Sequence, residues 1–395
     1  MKKVLVPRVR FKGFSEVWKE EKLESFSEIT IGEFVIKTKQ NDFYEYPVYN
    51  GGITNTGFYK EYNNEGNKII VSARGANTGY INFSEKRYWA GNSCYSIDLI
   101  SKRHSNIKFI FYSMLINKYK FDDNKQVGTI PSVSLEDVKN FVIYLSSYSE
   151  QQKIGDFFSK IDTLINLYQS KLNKLKQLKE TLLQKMFPEG NSKTPRIRFK
   201  GFEGEWKEER LENITKRMSS GGTPSTTIKK FYNGKIPFLT ISDMTKVGKY
   251  INNTEKNITP EAIENSSTWL VPKNSLLLSM YASFGKTAIN KKEITTSQAI
   301  LGIILNNNIS VEFLYYLLFL MDINQYWYKQ VETGTQPNLS NWTVSKTLIK
   351  LTKNISEQQK IGDFFSKIDT LINLYQSKLN KLKQIKEALL QKMFV

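Results

Sequence analysis

The sequence predicts an α+β fold: two globular α/β bodies separated by two long antiparallel helices in a coiled coil, a pseudo-twofold tandem repeat. Three observations carry this. Residues 149–187, SEQQKIGDFFSKIDTLINLYQSKLNKLKQLKETLLQKMF, return at 356–394 with only Leu178 replaced by Ile385 and Thr181 by Ala388. PRVRFKGFSEVWKEEKLE, from Pro7, returns from Pro195 as PRIRFKGFEGEWKEERLE. The stretches between these repeats do not resemble each other. The expected division is therefore 1–148, a first body with its entry segment; 149–187, a long helix; 188–194, a linker; 195–355, a second body with the repeated entry; and 356–395, the second helix.

The helix assignment rests on periodicity and end signals. Apolar residues alternate at spacings of four and three through Ile154, Phe158, Ile161, Ile165, Tyr168, Leu172 and Leu175, then Leu182 and Met186, and only Lys179 interrupts the series. That period is the coiled-coil pattern, and at 1.5 Å per residue the helix is on the order of 55 Å long. The packing positions are Ile161, Ile165, Tyr168, Leu172 and Leu175 in one copy and Ile368, Ile372, Tyr375, Leu379 and Leu382 in the other. Ser149 with Gln152, and Ser356 with Gln359, read as capping boxes. Glu150 and Glu357 suit the positive end of the helix dipole, and Lys185 and Lys392 the negative end. Two copies on one chain pair most economically with each other; binding of each to a separate subunit, or dimerisation of the chain, are the alternatives. Pro188, Glu189 and Gly190 then stop the first helix.

Both bodies follow one order: short strands, a helix, and a polar loop into the long helix. In the first, KIIVSARG, TGYINF and SCYSIDLI read as strands and residues 107–118 as a helix. In the second, IPFLTIS, NSLLLSMY, KTAIN and QAILGIIL play that part, with a helix over 311–321. The shared order implies a common fold under divergent sequence.

Composition narrows the function. Among 395 residues, 57 Lys and Arg against 38 Asp and Glu leave a net charge of +19. Such an excess points to a polyanion, most simply nucleic acid, through counterion release from phosphates. A basic interaction scaffold whose charge is incidental remains the alternative. One cysteine, Cys94, excludes an internal disulfide and a cysteine zinc cage, and the one histidine, His104, is expected at the surface. Gly285, Lys286 and Thr287 imitate the end of a phosphate-binding loop, but Met280 stands where its first glycine belongs. The most apolar run, FLYYLLFLM, is too short to span a bilayer, and a cytoplasmic chain is expected that binds without doing chemistry, with no catalytic residues and no metal.

The turns are rich in amides, hydroxyls, glycine and aromatics, side chains suited to base edges and phosphates. The same residues also build ordinary turns. The first body contributes Asn50, Arg74, Asn77, Thr78, Tyr80 and Asn92, with Arg74 foremost because guanidinium pairs bidentately with guanine. The second contributes Thr223, Ser279, Tyr281, Lys286, Gln298, Thr335, Gln336 and Asn338.

The layout resembles the specificity subunit of type I restriction–modification enzymes over nearly the whole chain. The motifs that carry it are RFKGFEGEWKEERLEN, GGTPST, GTQPNLS and SEQQKIGDFFSKIDTLI, with YPVYNGGI, SARGANTGY and WAGNSCYSI. The resemblance implies that each body is a target recognition domain reading half of a bipartite site in double-stranded DNA. It also implies that the helices set the gap and dock two modification subunits. Those subunits would bind S-adenosylmethionine, and restriction subunits would add chemistry driven by ATP and Mg²⁺. No cofactor is then bound by this chain, and no membrane is involved.

Overall fold

The computed structural model describes residues 5–101, 104–123, 130–246, 248–330 and 338–395. Two compact units emerge, each discontinuous in sequence: Met1–Ser170 with Gln376–Val395, and Lys171–Tyr375. Each therefore joins one body to the first part of one long helix and the last part of the other.

Those helices run over Tyr148–Met186 and Ile355–Met393. Within the first unit, Asp162 meets Lys386 at 2.5 Å and Phe158 lies 6.0 Å from Phe394. Within the second, Lys179 meets Asp369 at 2.5 Å and Phe187 lies 6.4 Å from Phe365. Rising numbers along one helix face falling numbers along the other, so the pairing is antiparallel in both units. Along the predicted apolar series Ile161, Leu172, Ile368 and Leu379 are buried, and Ile165, Tyr168, Leu175, Ile372, Tyr375 and Leu382 are half-buried.

Two local expectations are corrected. Lys179 does not break the seam. Its ammonium lies between Asp369 and the faces of Phe319 and Tyr316, while its twin Lys386 meets Asp162 and the Tyr112 ring. Each aspartate also accepts from a tyrosine hydroxyl at 2.6 Å, Tyr112 to Asp162 and Tyr316 to Asp369. Opposite charge and an aromatic face make a core-type position acceptable to lysine. Nor do the capping boxes form: the helices begin at Tyr148 and Ile355. Asn354 caps the second, its Oδ1 accepting from the amides of Ser356 and Glu357 at 3.0 and 3.3 Å.

The glutamates expected at the positive end of each dipole stand in the first turn of their helices, and they also clamp the repeats together. Glu150, fully buried, accepts from Arg10 Nε and Nη2 at 2.6 and 2.7 Å, and from Trp18 Nε1 at 3.2 Å. Glu357 accepts from Arg198 Nε and Nη2 at 2.6 and 2.8 Å. The carboxylate bond dominates in raising each guanidinium further above its usual range, against the opposing effect of burial. The next residue ties each helix to its body: Gln151 accepts from the Asn106 amide at 3.0 Å, and Gln358 from the Ser310 amide at 2.8 Å. The entry tryptophans seat against the far helix end of their own unit, Trp18 on Phe394 and Trp206 on Phe187.

Beneath unlike sequences the bodies share a topology. In the first, Ser27–Ile31, Cys94–Leu99, Lys68–Ser72 and Ile81–Ser84 lie side by side in that order, all antiparallel. In the second, Thr215–Ser220, Ile300–Leu305, Leu276–Ser279 and Thr287–Asn290 repeat the arrangement, and Tyr250–Ile251 adds a parallel fifth strand. A second, smaller sheet centres on Tyr46–Tyr49 or Ile236–Leu239, paired in parallel with Trp89–Ala90 or Ile294–Thr296. Entry and exit close each body through antiparallel pairs, Lys19–Lys22 with Val142–Leu145 and Lys207–Arg210 with Leu348–Leu351. Helices Ile107–Ile116 and Val311–Ile323 fall where expected. IPFLTIS is not all strand: after Leu239, Asp243 accepts from the amide and hydroxyl of Thr240 at 2.9 and 2.8 Å and starts the helix Ile241–Lys246. That is capping chemistry overriding β-propensity.

Candidate nucleic-acid interface

The structure gathers the three polar loops of the first body into one surface. Asn50 Oδ1 accepts from the Ser93 amide at 3.2 Å, the Ala73 amide donates to Ser93 O at 2.8 Å, and Ser72 Oγ reaches Gly52 O at 3.4 Å. Gly51, at φ +74°, lets this happen: a Cβ there would lie 2.7 Å from the Arg74 carbonyl. Arg74, Tyr80 and Asn92 are exposed on this surface, and Asn50 and Asn77 are half-buried. Thr78 is buried, its hydroxyl donating to Gly75 O and Pro131 O at 2.6 and 2.8 Å, so it holds the loop that presents Arg74. The Arg74 charge partly opposes the burial that raises the Tyr95 hydroxyl above its ordinary range.

The second body does the same with other residues. The Gly222 amide donates to Thr296 O at 3.1 Å, and Thr223 bonds Gln298, joining GGTPST to TTSQA. Gly221 must be glycine, since a Cβ would fall 1.8 Å from the Thr296 carbonyl. Met280 receives the Leu339 amide at 2.9 Å and donates its own to Ala299 O at 2.8 Å, and Tyr281 bridges to Asn338. Thr223, Tyr281, Lys286 and Gln298 are exposed and Asn338 is half-buried. Ser279 is buried and accepts from the Lys286 amide at 3.0 Å, holding the hairpin that carries Tyr281. Burial raises the Asp322 carboxyl above the usual carboxylate range, against the pull of Lys286. Gly285, Lys286 and Thr287 lead into the strand Thr287–Asn290, whereas a phosphate-binding loop leads into a helix. Thr335 and Gln336 lie outside the described residues.

Two features escaped the sequence reading. Phe43 is 95% exposed on a turn beside the 49–57 loop, joined to it through Gln40, which accepts from Thr56 at 2.9 Å. Arg217 stacks 4.0 Å above the Trp269 ring. An aromatic amid turn residues (QNDFYEY) was the signal for the first; the second pairs residues far apart in sequence and had none. Among the described residues no cluster of His, Cys, Asp and Glu can hold a metal, and no helix is long and apolar enough to cross a membrane.

Two bodies of one topology, each clamped to the long helices by the same Arg–Glu pair and each presenting its own polar loops, define a protein of two like domains with unlike loop surfaces. The type I restriction modification DNA specificity domain matches twice, over residues 15–177 and 203–384, and the chain belongs to that family. The MjaIX specificity subunit of Methanocaldococcus jannaschii is 32% identical over 193 residues, 48% of this chain; the match spans about half of that protein, 44%. A type I specificity subunit of Mycoplasma genitalium is 23% identical over 95% of this chain and 94% of its own. A crystal structure of a type I S subunit from M. genitalium superposes with a TM-score of 0.74 at 20% identity, covering 99% of each chain, and so shares the fold.

Proposed function

We propose that this chain reads a bipartite, asymmetric site in double-stranded DNA, one half-site per body, as the non-catalytic recognition subunit of a cytoplasmic multisubunit methyltransferase and endonuclease. The observation that carries this is the pair of loop surfaces: the same places in one topology, held by buried Thr78 or Ser279, present Arg74, Tyr80 and Asn92 in one body and Thr223, Tyr281, Lys286 and Gln298 in the other. With Asn50, Asn77 and Asn338 at their margins, and Thr335 and Gln336 in the adjoining segment, these residues contact bases and phosphates. The functional segments follow the repeats: bodies over 1–148 and 195–355, spacer helices over 149–187 and 356–395, and a linker between.

The helices space the half-sites and dock two modification subunits. Support for docking comes from apolar side chains left exposed at matching positions, Leu164, Leu167 and Leu178 on one helix and Leu371, Leu374 and Ile385 on the other. S-adenosylmethionine belongs to the modification subunits, ATP and Mg²⁺ to restriction subunits, and none to this chain. The test is co-assembly with the cognate modification subunit, followed by methylation sequencing of exposed DNA. Adenine methylation confined to one two-part motif is expected. Assembly with methylation at scattered sequences would overturn the reading.

A further inference from the structure

The two bodies differ at one sheet edge, and the difference leaves an empty seat. Their strand registers make residues equivalent: Ile69 faces Ile97 and Phe83 as Leu276 faces Ile303 and Ile289. Phe83 therefore matches Ile289, and Glu85 matches Lys291. Asn106 and Ser310 cap matching helices, each bound to the matching glutamine of its long helix, so Lys108 matches Glu312.

In the second body the edge strand Thr287–Asn290 is covered by the chain itself. The Ile289 and Lys291 amides donate to Lys249 O and Ile251 O at 2.8 and 2.9 Å. Lys249 inserts its ammonium among Glu312, Ser366 Oγ at 2.7 Å and the Tyr316 hydroxyl at 3.0 Å, and the Tyr250 hydroxyl donates to Glu312 at 2.9 Å. The first body has a short loop, residues 50–57, where the second has residues 240–255, and among its described residues no strand covers Ile81–Ser84. A groove of about 590 Å³ lies there instead, lined by Tyr80, Phe83, Lys108, Tyr112, Ser159 and Leu115 among others. Its ion pair is reversed: Lys108 and Glu85 stand where Glu312 and Lys291 stand in the second body, and Lys108 reaches Ser159 Oγ at 3.2 Å as Glu312 receives Ser366.

We propose that this groove is a docking site for an extended segment of a partner protein. The segment adds a parallel strand to Ile81–Ser84 and places an acidic residue, followed by an aromatic one, against Lys108. A polypeptide is favoured because a sheet edge offers alternating amides and carbonyls at strand spacing. Acidity follows from the reversed charge: where the second body's own strand brings Lys249 to Glu312, the occupant of the first brings a carboxylate to Lys108, releasing exposed Glu85. This goes beyond DNA recognition and does not depend on it.

The probes are two pentapeptides, residues 248–252 (Gly-Lys-Tyr-Ile-Asn) and the same peptide carrying Lys249→Glu, titrated into the full chain while the methyl signals of Ile81 and Leu115 are followed by NMR. The acidic peptide is expected to bind roughly fivefold tighter, the scale of one partly screened ion pair. The Lys108→Glu, Glu85→Lys chain is expected to reverse that order, and Lys108→Gln to abolish it while keeping the wild-type melting temperature. Equal affinities, or no shift with either peptide, would overturn the proposal. A DNA duplex that displaces the acidic peptide from these methyl signals would also overturn it, assigning the groove to nucleic acid. Methylation of one bipartite motif by a complex carrying Lys108→Gln would show DNA reading intact whichever way the peptides behave.

Discussion

Glu150 and Glu357 join segments that the chain repeats but keeps far apart, and their environment sets the cost of changing them. Glu150 and Arg10 are 0% and 10% exposed at their side chains. Glu150→Ala leaves a guanidinium in a dry site, so a loss of about 3–5 kcal/mol is expected in urea unfolding. Arg10→Met with Glu150→Leu should recover only part of it, because neither charge then remains to be desolvated but the buried Trp18 indole N–H loses its acceptor. Cys94 gives a pH prediction. Burial pushes its thiol up from 9.0 to about 12. A raised folded pKa favours the protonated form, so its contribution to stability is whole below pH 9 and disappears as pH climbs toward 12. The native chain should therefore resist alkylation at pH 8 and react only on unfolding, and fast labelling of folded protein would contradict the buried placement.

At the level of elements, the long helices carry both buried and exposed apolar side chains, and the two kinds can be tested separately. Leu172 and Leu379 are each 1% exposed, and either one changed to Ala should cost about 2–5 kcal/mol. Leu164 and Leu371 are each 44% exposed. Leu164→Asp with Leu371→Asp should shift the melting temperature little yet weaken co-assembly with the modification subunit, measured by size-exclusion chromatography. An equal loss of stability would place these leucines inside the chain's own packing. The Asp162–Lys386 contact, with Tyr112, explains how a lysine at a seam position is tolerated. Asp162→Asn should destabilise the chain, and Asp162→Lys with Lys386→Asp should restore part of the loss.

For the molecule as a whole, charge and length are the levers. A surface making six to ten phosphate contacts should lose about 10³-fold or more in DNA affinity between 50 and 200 mM salt. Salt-independent binding would leave the +19 charge without that role. Inserting one heptad at opposed positions of both helices should change the tolerated gap between half-sites and leave each half-site sequence intact, read by methylation sequencing.

Local signals made much of this legible. Periodicity located both long helices to within one or two residues, because a 3.5-residue repeat is written in consecutive positions, but near the end of the first helix it marked Leu182, which is half-buried, while its neighbour Leu183 is buried. Turn composition located the loops, but could not tell exposed Arg74 from buried Thr78 four residues on, since both residue types suit a turn. The repeats by themselves determined two halves with a common frame. Only the tertiary structure decided that each compact unit takes helix from both halves, that Glu150 holds Arg10, 140 residues earlier, and that Asp162 holds Lys386, 224 residues later. Those pairings are set by which buried charges and aromatic faces meet across the fold, and separation along the chain carries no trace of them.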